Sequence, residues 1–143
     1  MRPTIVLLSP PEDHKRIVTR LRQAGIHDEG LILDRLDRGE CGFGVDTSGD
    51  VLDEFSEGEV DGIRHRIGEF QAILLEYSGV SCIRDLLGEL VQGVSGLLDT
   101  NFGELIEYEE VLERFRRDPL WDWRSAAAGC SGRPAGTRPV TNT

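Results

Sequence analysis

Lysine is almost missing from this 143-residue chain: Lys15 stands alone and the other fifteen cations are Arg. Arg pairs well with carboxylates, so most of these are expected in surface ion pairs. A GC-rich coding source accounts for the bias more simply than function does. Positive charge as a whole is scarce, with 16 Lys+Arg against 26 Asp+Glu and a net charge of −10. That balance excludes a generic phosphate-backbone binder, which needs an excess of cations. It equally excludes a peripheral anchor on anionic lipid. No nucleic-acid or membrane partner is therefore expected. Long apolar runs are also missing. Ile5-Val6-Leu7-Leu8 is too short for a signal-peptide core, and nothing approaches the roughly 20 residues of a membrane helix. The chain reads as cytoplasmic. Cysteine is sparse. Cys41, Cys82 and Cys130 are odd in number and lack Cys-x-x-Cys spacing, so free thiols in a reducing compartment are expected.

Strong catalytic and metal signatures are absent too. His14, His27 and His65 show no His-Glu-x-x-His pattern, and read as surface histidines. Asp46, Asp50 and Asp53 lack EF-hand spacing, and Gly42-Phe43-Gly44 does not open a helix. Ser78 to Ser81 contains no Gly-x-Ser-x-Gly. Cys82 begins a helix, which favours a thiolate, but no His neighbours it in sequence. No catalytic residue, cofactor or metal ligand is assigned, and the chain does not read as an enzyme.

What is present is an α+β pattern. Ile5 to Ser9 reads as a buried strand, followed by a capping box at Ser9-Pro10-Pro11-Glu12 and a helix over 10–24. Residues 26–40 give no clear signal. Cys41 to Asp46 alternates as a strand, Thr47-Ser48-Gly49 supplies a turn, and Val51, Leu52 and Phe55 read as the returning strand. Ser56-x-x-Glu59 is a second capping box for a helix that Gly68 closes. Phe70 to Tyr77 is apolar almost throughout, as in a central strand covered on both faces. A helix over 80–95, a hairpin around Asn101-Phe102-Gly103 and a helix from Tyr108 to Arg117 follow. These elements predict one α+β domain over 1–124, a two- or three-layer sandwich with a mixed sheet of five or six strands. From Ser125 the composition turns to Ala, Gly, Ser, Pro and Thr, which predicts a disordered tail over 125–143.

The two hairpins share an Asp-Thr-turn-Gly-acid pattern, at Asp46 to Leu52 and Asp99 to Ile106. Each follows a strand and a helix, so the domain reads as two β-α-β-β units, 4–67 and 70–117, each trailed by a helix. One alternative function follows. If the units pack about a pseudo-twofold, Asp46 and Asp99 could converge as a paired carboxylate for acid–base work or for a divalent cation. The plainer reading is that each Asp caps its own turn.

The charge map gives a sharper expectation. Eight acids and no base lie between Glu40 and Ile63, and again between Asp85 and Glu113. Segregation of this kind steers cationic partners. Trp121 and Trp123 either dock on the core or form an exposed anchor. The strings Leu98 to Ile106 and Asp118-Pro119-Leu120-Trp121-Asp122-Trp123 resemble small actinobacterial proteins of immunity type, encoded beside secreted polymorphic toxins. The resemblance covers residues 97–124 and implies an acidic inhibitor that covers a basic toxin surface; it carries no catalytic residues. The expected contact residues are Asp46, Asp50, Asp53, Asp99, Glu104, Glu107, Trp121 and Trp123. A further alternative is a subunit of a homo-oligomer, docking through the two Trp residues.

Overall fold

A computed structural model describes residues 2–121 and 123. Cys130 and the tail over 125–143 lie outside the described residues. Among those described, seven strands form one sheet: β1 (Thr4–Ser9), β2 (Ile26–Asp28), β3 (Asp34–Arg38), β4 (Cys41–Asp46), β5 (Gln71–Glu76), β6 (Leu97–Asp99) and β7 (Leu105–Glu107). Four α-helices accompany them: α1 (Pro11–Gln23), α2 (Glu57–Ile67), α3 (Val80–Leu90) and α4 (Tyr108–Arg117). The strand order is β2-β3-β4-β5-β1-β6-β7. Every pairing is antiparallel, so the α+β class holds while the expected mixed sheet of five or six strands does not.

The apolar runs explain the centre. β1 and β5 pair along six residues. Their alternate side chains enter two separate cores, Ile5, Leu7, Ile73 and Leu75 on one face and Val6, Leu8 and Ala72 on the other. The first face is covered by α1, α3 and α4 through Ile17, Leu21, Ile83, Leu86, Leu87, Tyr108 and Val111. The second is covered by Val51, Phe55 and Ile63, from a 3-10 helix (Asp50–Glu54) and α2. The result is three layers. Each fully buried aliphatic contributes about 1.5–3 kcal/mol relative to exposure.

Three local expectations change. Ser9 does not cap α1; Pro10 holds the N-cap position without a side-chain bond, and the Ser9 hydroxyl meets the buried Tyr108 hydroxyl at 2.6 Å. Residues after Asp46 form the 3-10 helix rather than a returning strand. The spacing of Val51, Leu52 and Phe55 suits a helical turn laid on the sheet as well as it suits a strand. α3 stops at Leu90, and Gly93 then takes a left-handed φ of 76°, turning the chain so that Val94 is still buried. The Ser56–Glu59 box forms in full, with the Ser56 hydroxyl accepting from the Glu59 N–H at 3.1 Å and Glu59 accepting from the Ser56 N–H at 2.8 Å.

Three Arg side chains close helix C-termini, where carbonyls lack partners. Arg38 donates to Ala24 O, at the end of α1, at 3.0 Å. Arg20 donates to Leu90 O and Gln92 O at 3.0 and 2.7 Å, at the end of α3. Arg84 donates to Phe115 O, Asp118 O and Trp121 O at 3.0, 3.3 and 2.7 Å, at the end of α4. Only a planar, five-donor guanidinium spans such sets.

Cys41 and Cys82 are joined in a disulfide, with Cα atoms 5.7 Å apart, which corrects the expectation of free thiols. The turn of the β3–β4 hairpin lies against α3, where Arg38 binds Asp85 at 3.0 Å and Glu89 by a short, charged pair. That contact brings the first residue of β4 to the first turn of α3. Such proximity across 41 residues leaves no trace in local Cys spacing.

Candidate functional site: an acidic surface

Asp46 ends β4, and its carboxylate accepts from the Ser48 N–H at 2.8 Å. Asp99 ends β6, and its carboxylate accepts from the Asn101 N–H at 2.9 Å. The two turns are therefore built alike, each Asp holding the N–H two residues on. Register relates them further. Asp46 stands opposite Leu74, Leu74 opposite Val6, and Val6 opposite Asp99, in one row across four strands. Three strand spacings separate the two Asp positions, roughly 14 Å at about 4.8 Å each. The arrangement is pseudo-symmetric about the β1–β5 pair, but the symmetry holds the two carboxylates apart. They are not a paired acid–base or cation site. Among the described residues no cluster of His, Cys, Asp and Glu could hold a metal ion.

Five acids of the second block are ion-paired to four Arg from outside it, while Glu107 and Glu109 stay exposed. Arg38 takes Asp85 and Glu89. Arg114 takes Glu104 at 3.6 Å and Glu110 at 2.8 Å, and Arg116 and Arg117 take Glu113. The hydrogen bond from Arg38 holds the Glu89 carboxyl below the usual carboxylate range. Arg116 does the same for Glu113. Hydrogen bonding to Glu89 raises the Arg38 pKa further, so that clamp stays charged.

Part of the first block stays without ion pairs. Asp50, Asp53, Glu54 and Glu57 are all exposed, and among the described residues no cation pairs with any of them. They follow one another along the 3-10 helix and the first turn of α2, which pack through Val51, Phe55 and Ile63 onto the central strands. The cations of that layer, Arg64 and Arg66, lie at the other end of α2, and Arg64 is spent on Asp61 and Glu69. The layer is thus polarised, acidic at its start and basic at its end.

Several expected contact residues fall elsewhere. Asp99 is 3% exposed and Trp123 is 1% exposed, so neither side chain is offered to a partner. Trp123 is core: its indole N–H donates to the Tyr77 hydroxyl at 2.9 Å, edge-on to that ring. Trp121 is half-buried against Phe115, with the Arg114 guanidinium over its ring. Glu104 is ion-paired, and Glu107 is exposed at the end of β7. Asp122 lies outside the described residues. Glu54 and Glu57, overlooked as contact residues, carry the same signal as Asp50 and Asp53: an acid run with no base within reach. Compared with protein-family models, curated proteins and solved structures, the chain matches none.

Proposed function

We propose that this chain is a protein-binding domain whose acidic layer, Asp50, Asp53, Glu54 and Glu57, docks a partner with a basic surface, as an immunity-type inhibitor of a basic toxin would. The observation that carries the reading is the contrast between the two acidic blocks. In the second block five of eight acids are ion-paired within the fold, whereas the first block displays, without ion pairs among the described residues, the run Asp50, Asp53, Glu54 and Glu57 on a core-anchored element. Exposed charge that a fold does not use internally is available for steering and complementarity. The resemblance at residues 97–124 favours the immunity type of partner. Among the described residues no helix is long and apolar enough to cross a membrane. A persisting Cys41–Cys82 bond fits an oxidising compartment better than the reducing cytoplasm, where disulfides are rare.

The test is binding to the basic product of the neighbouring gene, with Asp50, Asp53, Glu54 and Glu57 changed together to their amides. Four exposed pairs at about 0.5 kcal/mol each predict roughly a 30-fold weaker Kd. The same exchange at Glu104, Glu110 and Glu113 should leave binding unchanged. Equal affinity for the first variant and wild type would sink the assignment of the surface.

A further inference from the structure

We infer that the β2 edge of the sheet, with Ile26, Leu31 and Ile32, is the seat of a second copy of this chain. These are three of the four large exposed hydrophobic residues among those described, at 70%, 106% and 87% exposure. They lie within seven residues of sequence. β2 bonds only to β3, so its other side offers backbone donors and acceptors without a strand to meet them.

The patch is held in place by the fold. Gly30 donates its N–H to the Asp34 carboxylate at 3.3 Å, closing the turn that presents Leu31 and Ile32. Leu33 turns inward over Gly44, where an added Cβ would lie 2.9 Å from its Cδ1. The turn is anchored on both sides and its two apical aliphatics project outward.

The two sheet edges differ. At the β7 edge the flanks are Glu104 and Glu107, and no large aliphatic is exposed there. Charged flanks of this kind discourage strand addition. On β2 Asp28 stands opposite Arg35 in register, but Arg35 is bonded to Asp37 at 2.9 Å, so this edge is acidic too and the exposed aliphatics are what set it apart. A second copy fits for two reasons. Antiparallel addition about a twofold uses the same donors and acceptors on both chains and continues a sheet that is antiparallel throughout. The area also fits. The three aliphatics offer roughly 400 Å² per chain, so two patches with their strand edges approach the ~1,000 Å² of a specific interface. Glu29, exposed beside the patch, would approach its own copy, and salt would screen that repulsion.

Sedimentation equilibrium of the full chain from about 10 μM to about 1 mM tests this, since weak interfaces have Kd values in that range. A monomer–dimer equilibrium that tightens with added salt is expected. Leu31→Gln and Ile32→Gln should each raise the dimer Kd at least about tenfold, because each removes a buried aliphatic from both copies. Both positions are exposed in the single chain, so the thermal midpoint of the monomer should not move. A monomer at every concentration overturns the inference. A dimer that both substitutions leave intact overturns it too, because it places the contact elsewhere. So does a self-association that salt weakens, the mark of a contact between unlike charges elsewhere on the two copies.

Discussion

Arginine explains more of this fold than its abundance suggests. Arg20, Arg38 and Arg84 each tie a helix end to a neighbouring element through two or more bonds. One ammonium could not reach the three carbonyls that Arg84 holds, nor stack on Phe115, over whose ring the Arg84 guanidinium lies at 4.4 Å. Arg84→Lys is therefore expected to cost about 1–2 kcal/mol and Arg84→Ala about 2–3 kcal/mol, read from chemical denaturation. Equal stability of Arg84→Lys and wild type would contradict the capping role. Gly96 is fixed by space: a Cβ there would fall against the Tyr108 ring and 2.5 Å from Leu8 O. Gly96→Ala should destabilise by about 1–3 kcal/mol. His14 sits partly buried with no partner for Nδ1, and burial lowers its pKa below 6.5. The unfolded chain then takes up this proton first as pH falls. His14's contribution is whole above about pH 6.5 and shrinks as pH drops toward the folded pKa. Denaturation midpoints of His14→Gln should vary less across that window than those of wild type.

At the scale of elements, legibility followed burial. β1 and β5 are readable because both faces are covered, which writes continuous apolar runs into the sequence. β3 is Asp-Arg-Leu-Asp-Arg with only Leu36 fully buried, and β2 is exposed throughout, so residues 26–40 carry no clear period. The α2 box was legible because all its partners lie within four residues. Ser56→Ala should cost about 1 kcal/mol in unfolding experiments. The α1 box failed because Ser9 is claimed by Tyr108, 99 residues away, and no local pattern encodes that. The Cys41–Cys82 bond escaped for the same reason. Thiol titration of unreduced, unfolded protein should find one reactive thiol per chain, from Cys130, and three after reduction. Closing a loop of about 40 residues restricts the unfolded chain, so Cys82→Ser should lower stability by about 2–4 kcal/mol. Three thiols before reduction would contradict the pairing.

On the scale of the whole molecule, a net charge of −10 conceals two unlike surfaces. The sequence shows two acidic blocks of equal size; only three-dimensional placement of Arg38, Arg114, Arg116 and Arg117 shows that five acids of the second are ion-paired. The paired-carboxylate reading fails at this scale as well, because the row through Leu74 and Val6 sets Asp46 and Asp99 apart across the centre of the sheet. The proposed partner would dock on the acidic start of the layer over β5 and β1. The most direct measurement is the salt dependence of Kd for the basic product of the neighbouring gene. Wild type should lose affinity steadily as ionic strength rises from about 0.01 M to about 0.15 M and the Debye length falls from about 30 to about 8 Å. The variant with amides at Asp50, Asp53, Glu54 and Glu57 should bind roughly 30-fold more weakly at low salt and respond far less to it. Wild-type affinity and an unchanged salt response in that variant would contradict the account.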